Sequence, residues 1–353
     1  MRLIASVATA AALVAASAAP AAAAVPRDFV GVAVTGPMFL PEVDTETEFA
    51  LMQRSGVGSI VTEFNWAVEQ PAADAPPDFA RTDRIVLAAA RRRMTVLPVA
   101  LYAPPWAAVD PASAASPPKP GPYAAYLTAA IGRYGPQGSL WDEHPDVPRV
   151  PVRDWQVWNE PSHEGFWSMQ PATRRYVALL RASARAIRAA DPGARVVLAG
   201  LVYKSWKQLE QLYDAGAKGL FDVLSLHPYT RRLQNVIVIM RRNRRVLDDH
   251  GDRRIPIMAT EISWPSAKGR TQSDYGYEVT EAQQAREVTR ALPRLAEERG
   301  RLKLERFFWF SWLSEDADPF YPFDYAGLRR MTPDGPRDKP ARAAFARAAL
   351  KLL

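Results

Sequence analysis

Two glutamates stand out by where they fall. Glu160 closes the segment DWQVWNEP, residues 154–161, and Glu261 lies in MATEISWP, residues 258–265. Each follows a run apolar enough for a buried strand, where a carboxylate is costly to desolvate unless it is paired or used. Either one alone reads equally well as a satisfied rim carboxylate or a helix cap. Together, each flanked by tryptophan, they invite a chemical explanation. Two carboxylates facing each other across an aromatic pocket are the equipment for breaking a glycosidic bond: one, protonated, assists the leaving oxygen, and the other, ionised, meets the oxocarbenium charge. Sugar faces stack on indoles, and Trp66, Trp106, Trp158, Trp264, Trp309 and Trp312 are candidates, with Trp155 and Trp309 the first expected in the core.

The elements that position these residues alternate along the chain. Short β-rich runs at 29–34, 59–65, 95–102, 154–160, 195–202, 223–229, 255–263 and 305–312 make eight strands. Helical patterns fall near 45–55, 81–93, 122–134, 172–190, 206–215, 232–248, 280–299 and 339–351. Strands this apolar are covered on both faces, which argues for parallel pairing with right-handed crossovers. The predicted fold class is α/β, a single-domain (β/α)8 TIM barrel. An open doubly wound sheet is the rival, but Gly36-Pro37-Met38 stands where a phosphate-binding glycine loop would follow the first strand. In a barrel both glutamates end up at the C-terminal mouth. Strict alternation turns Gln156 and Trp158 inward beneath Glu160 and sends Asn159 outward, unless a turn at the strand end redirects it.

Composition narrows the classes. The chain has 353 residues, 48% of them hydrophobic and 24% charged, so it can form an ordinary globular core. It has no cysteine, which excludes disulfides, thiolate metal sites and a cysteine nucleophile. The net charge of +7 comes from scattered residues, and the runs Arg91–Arg93 and Arg241–Arg245 fall in helical patterns as solvated faces, so no nucleic-acid partner is expected. Residues 1–24 read as a secretory signal peptide, leaving 25–353 as the catalytic domain of a secreted, extracellular protein with no membrane contact after cleavage. A monomer without metal or cofactor is expected.

The sequence resembles the clan A retaining glycoside hydrolases, with families 39 and 5 most similar. The resemblance rests on Trp158-Asn159-Glu160-Pro161, His227-Pro228-Tyr229, Thr260-Glu261 with Trp264, and Phe310-Ser311-Trp312. It extends to Asn65-Trp66, Ala103-Pro104-Pro105-Trp106 and Lys339-Pro340-Ala341, nearly the whole mature chain. It implies Glu160 as acid/base, Glu261 as nucleophile, Asn159 on the sugar 2-hydroxyl, Tyr229 hydrogen-bonded to the nucleophile, and Trp312 under the sugar, with His227 holding that network and contacting substrate, or else a buried histidine satisfied by its neighbours. Trp66, Trp106 and Trp264 are further substrate-binding candidates. One departure is Val61, where many relatives place an arginine; Glu63 nearby is a replacement contact or a rim residue.

Long loops at 103–121, 264–279 and 313–338 are expected to set specificity, with Tyr275, Tyr277, Phe320, Tyr321 and Tyr325 able to extend a groove. The acidic run Ser314–Pro319 is read as solvated in preference to a calcium site, and His163 as a solvated loop residue in preference to a liner of the leaving-group side. Cleavage of β-glycosidic bonds in a polysaccharide or oligosaccharide is the leading reading. A non-catalytic carbohydrate-binding barrel and a transglycosylase using the same glutamates are the alternatives. Retention requires carboxyl groups about 5 to 5.5 Å apart.

Overall fold

The computed structural model describes residues 24–353. The expected leader, apart from its last residue, lies outside them. Eight parallel strands form the inner layer: β1 Val30–Val34, β2 Ser59–Asn65, β3 Thr95–Leu101, β4 Asp154–Val157, β5 Arg195–Val197, β6 Leu224–Leu226, β7 Ile257–Ile262 and β8 Leu304–Trp309. They hydrogen-bond in the order β5-β4-β3-β2-β1-β8-β7-β6. Parallel bridges Val197↔Val223 and Leu201↔Leu226 join the two outer members and close the barrel. Every residue of β1, β4 and β6 is buried, as strands covered on both faces require.

The outer layer comprises α1 Thr45–Arg54, α2 Trp66–Glu69, α3 Ala80–Arg91, α4 Pro120–Tyr134, α5 Ser139–Glu143, α6 Thr173–Ala190, α7 Ser205–Asp214, α8 Leu233–Asp249, α9 Glu281–Leu302 and α10 Pro340–Leu350. Local signals fix their starts. Asp44 accepts the backbone N–H groups of Glu46 and Thr47 ahead of α1, and Thr280 with Gln283 forms a capping box on α9. Pro120 and Pro340 stand at first-turn positions, where a missing N–H loses nothing. Arg91 and Arg92 pair with Glu46, in keeping with a solvated face. Arg244 departs from that reading. It is buried, because its guanidinium satisfies the carbonyls of Asp252 and Ile255 below α8. Among the described residues no helix is long and apolar enough to cross a membrane.

Charge closes the barrel floor. Asp154, first residue of β4, accepts Arg195 Nε at 2.6 Å and, from across the barrel, Arg306 Nη1 at 2.8 Å. Arg195 reaches Glu305 on β8, and Arg306 reaches Asp28. At the opposite end, three short strands, β9 Leu313–Ser314, β10 Arg329–Arg330 and β11 Arg337–Asp338, organise the last loop. Here Asp316 departs from the solvated reading of the acidic run, whose members Glu315, Ala317, Asp318 and Pro319 are exposed as expected. The Asp316 side chain is 3% exposed and pairs at 2.9 Å with Lys339, whose own side chain is fully buried at the start of α10. Lys339 Nζ also donates to Ser266 Oγ and the Tyr325 carbonyl, and Asp316 takes Arg270 Nη1 at 3.1 Å. The loops after β7 and β8 are thereby tied to one ammonium group.

Removing one partner of a buried ion pair leaves the other charge uncompensated, and this exceeds the pair's own net contribution. Asp154→Ala is therefore expected to destabilise the fold by about 3 kcal/mol or more, read as a lower urea midpoint at unchanged m-value. An unmoved midpoint would show that the floor network contributes nothing to stability.

Candidate active site

The site is built where strand regularity fails. In β4 the period of two holds as far as Gln156, which faces inward as expected. Its Oε1 accepts Ser225 Oγ at 3.1 Å, and Ser225 Oγ lies 2.5 Å from Thr260 Oγ1, so β4, β6 and β7 share a polar layer across the interior. Then Trp158 at φ 68° and Glu160 at φ 37° enter the left-handed region, a strain of roughly 1–3 kcal/mol each. This break corrects the expected inward position of Trp158. Its ring leaves the barrel for Tyr123 and Trp167, and its Nε1 donates to the Phe166 carbonyl at 2.9 Å. Asn159 is redirected into the mouth by the same turn and bridges Gly200 of the next strand segment. In β7 a register shift between Ala259 and Ile262 does the equivalent work. Thr260 bonds into the interior layer while the adjacent Glu261 reaches the cavity, as a bulge permits.

His227 joins the two carboxylates. Its Nδ1 lies 2.5 Å from Glu160 Oε1 and 3.5 Å from Glu261 Oε2. Two acceptors cannot approach to 2.5 Å, so one proton sits between the imidazole and Glu160. The ring is 1% exposed and reaches this place because Gly200 has no side chain: a Cβ there would lie 2.1 Å from His227 Nε2. Tyr229 donates its hydroxyl to Glu261 Oε2 at 2.7 Å. One donor atom from each of Glu160, His227 and Glu261 lies within 4.8 Å of the others, the only such group among the described residues. A metal would hold its ligand atoms about 3 Å apart or more, and the shared proton already fills the narrower gap.

Electrostatics in the cluster are opposed rather than additive. The Glu261 carboxyl is raised to about 7: burial pushes it up most, the His227 charge pulls it down, Glu160 pushes it up, and the Tyr229 hydrogen bond lowers it. Burial drags the His227 imidazole down, but the charges of Glu261 and Glu160 outweigh it and the net shift is upward. Tyr229 and His227 are thus what keep a buried carboxylate within reach of its ionised form.

Two cavities meet at this cluster. A smaller one, about 210 Å³, lies on the Glu261 side with Asn159, Val61, Glu63, Tyr102 and Phe310 in its wall. A larger one, about 610 Å³, lies on the Glu160 side with His163, Tyr203, Arg231, Tyr275 and Tyr277. Phe166, Tyr321 and Phe323 line both and divide them. Phe323 is the hub of this wall, with its ring centroid 4.6 to 6.0 Å from those of Tyr229, Phe310, Tyr321, Tyr275 and Tyr277. Of the groove candidates, Tyr275, Tyr277 and Tyr321 take part, Tyr325 is buried and Phe320 points to solvent. His163 lines the larger cavity, its ring parallel to that of Tyr203.

No tryptophan lines either cavity, which corrects the expected binding roles of Trp66, Trp106, Trp264 and Trp312. Each satisfies its ring N–H elsewhere, as buried indoles usually do. Trp66 donates to Gln70 Oε1 and packs on Tyr126. Trp106 donates to the Gln70 carbonyl and meets Trp66 edge-on at 5.4 Å. Trp264 bonds the Arg231 carbonyl and packs on Trp309. Trp312 donates to the buried Glu48 Oε2 on α1 at 2.7 Å; with β8 ended at Trp309, the chain turns it away from the mouth and leaves Phe310 there. Sequence reasoning passed over Tyr102, Phe166, Phe310 and Phe323 as liners. Position alone marked Tyr102 and Phe310, which directly follow the strands β3 and β8.

Among solved structures, the fold matches a family 39 glycoside hydrolase from the gut symbiont Bacteroides cellulosilyticus WH2, with TM-score 0.67 and 20% identity over 92% of this chain and 63% of that one. It also matches a monomeric beta-xylosidase from Caulobacter crescentus CB15, with TM-score 0.61 and 20% identity over 92% of this chain and 68% of that one. A glucosidase from Croceicoccus marinus matches with TM-score 0.66 and 14% identity over 92% and 68% of the two chains. The chain thus spans between three fifths and seven tenths of these proteins and shares the (β/α)8 architecture of glycoside hydrolases. No protein-family model matches the sequence, and no curated protein matches it.

Tyr229→Phe removes a hydrogen bond that lowers the Glu261 pKa, so the acid limb of the kcat/KM profile is expected to move to higher pH and activity at pH 6 to fall by about tenfold or more. An unshifted limb would remove Tyr229 from that role. Gly200→Ala is expected to displace the His227 ring and cut kcat at least about tenfold, with circular dichroism unchanged; full activity would mean that the ring position is not needed.

Proposed function

We propose that the protein is a secreted retaining glycosidase acting on β-glycosidic bonds of an oligosaccharide or polysaccharide. The carrying observation is the approach of Glu160 and Glu261 to within 4.8 Å, oxygen to oxygen, across the junction of two cavities. That separation favours the retaining arrangement of about 5 to 5.5 Å over the inverting one of about 6.5 to 9.5 Å, which must admit a water. The solved structures named above, as glycoside hydrolase, beta-xylosidase and glucosidase, support the same class. The leader-like segment 1–24 supports export.

The geometry supports the following steps. Glu160, which shares a proton with His227, gives it to the glycosidic oxygen as the bond to the leaving group breaks. Glu261, held by Tyr229, attacks the anomeric carbon and forms the covalent glycosyl ester. Glu160, now ionised, takes a proton from water, which attacks the same carbon and frees Glu261. Asn159 lines the wall beside Glu261, which supports its expected contact with the sugar 2-hydroxyl. The smaller cavity, below the roughly 300–1,000 Å³ of drug-sized sites, suits one sugar ring, and the larger one a longer leaving group. These sizes support cleavage one residue at a time from a chain end. A non-catalytic barrel is disfavoured, since it has no need of a proton held at Glu160 or of Tyr229 on Glu261. Transfer to a sugar acceptor would use the same steps, with the acceptor in the larger cavity.

Glu261→Gln is expected to lower kcat on aryl β-glycosides by about 10⁴-fold or more, and proton NMR of the first-formed product should show retained anomeric configuration. Glu160→Ala should lose far more activity on poor leaving groups than on dinitrophenyl glycosides, which need little protonation. An inverted product, or equal losses on both leaving groups, would contradict these assignments.

A further inference from the structure

The smaller cavity holds a third carboxylate that the double displacement does not use. Glu63, near the end of β2, stands in its wall beside Tyr102, with 24% of its side chain exposed. Its Oε1 accepts Arg81 Nη2 at 3.1 Å, and its Oε2 accepts no hydrogen bond among the described residues. Arg81 is not in the cavity wall, because its guanidinium is seated over the Phe39 ring, 3.6 Å from the centroid. That seat holds Glu63 from behind, so Arg81 is a positioning residue. The wall facing a ligand therefore offers the carboxylate acceptors of Glu63 and Glu261 and the amide of Asn159, whose Oδ1 already accepts Gln156 Nε2 at 3.4 Å, and no cationic side chain.

Sugar hydroxyls are donors, and a carboxylate accepts them in pairs through two oxygens. A carboxylate carried by the sugar would instead bring a like charge against Glu63 and Glu261 in a half-enclosed space, which is how a site rejects a competitor. We propose that this cavity takes one neutral pyranose residue, that Glu63 accepts two of its ring hydroxyls, and that uronic acids are excluded. The inference rests on the glycosidase reading only for the ligand being a sugar.

Two measurements test it. In the first, 4-nitrophenyl β-xyloside, β-glucoside and β-glucuronide are hydrolysed by the full chain. The glucuronide is expected to have a kcat/KM at least about 100-fold below the better neutral substrate, and Glu63→Gln to raise KM for that substrate about tenfold with kcat little changed while narrowing the gap. Arg81→Met should move KM in the same direction. In the second, which needs no turnover, calorimetry on the Glu261→Gln protein follows xylose, glucose and glucuronate. The neutral sugars should bind, glucuronate should not, and adding Glu63→Gln should weaken the neutral sugars. Glucuronate bound or hydrolysed as well as glucose overturns the inference while leaving the glycosidase reading intact, as does an unchanged KM in Glu63→Gln. Neutral sugars bound with no glycoside cleaved overturns the catalytic reading and upholds the cavity assignment. No sugar bound at all overturns the cavity assignment.

Discussion

The His227 imidazole, 1% exposed, shares a proton with Glu160 at 2.5 Å and stands 3.5 Å from Glu261. In a water-poor interior, two carboxylates this close repel strongly and neither is easily ionised. A cation-forming ring between them relieves the repulsion and gives the system one proton to move. The surrounding structure answers to that requirement. Gly200 leaves the space for the ring, the Gln156–Ser225–Thr260 layer ties β4, β6 and β7 together across the interior, and Tyr229 stabilises the charge on Glu261. They come from β4, β6 and β7 and from the segments that follow β5 and β6, so only a closed barrel brings them together.

The fold was legible because its signals are repetitive. Eight apolar runs separated by helical patterns admit few topologies, and the observed strands fall within the expected ranges or within one residue of them. The glutamates were legible because a carboxylate ending a buried run is anomalous. Asn159, His227 and Tyr229 came from the resemblance and lie beside them. The orientation of individual side chains was not legible at the strand ends. Positive φ at Trp158 and Glu160 and the register shift in β7 cancel the alternation on which such reasoning rests.

The tryptophans show the second limit. A large ring near a catalytic motif has two uses, stacking on a ligand or filling the space behind it, and sequence does not distinguish them. Here the choice follows from the ring N–H. Trp66, Trp106, Trp158, Trp264 and Trp312 each find an internal acceptor, and in doing so they fix the loops on which phenylalanines and tyrosines are carried. The surface offered to a ligand is consequently made of single rings, several with a hydroxyl. Such a wall combines apolar faces with hydrogen-bonding tips, and it suits a partner that is itself part carbon face and part hydroxyl.

The buried ammonium of Lys339 has a bearing on how the molecule is divided. It begins the last helix, yet its bonds go to Asp316, Ser266 and the Tyr325 carbonyl, in the two segments that carry Tyr275, Tyr277, Tyr321 and Phe323. The final helix is therefore a strut for the ligand-facing rim as well as a cover for the barrel. Its core-facing residues Ala341, Ala344, Phe345 and Ala349 serve the barrel, and Lys339 at its start serves the aromatic partition, so one short helix couples the stability of the scaffold to the shape of the rim.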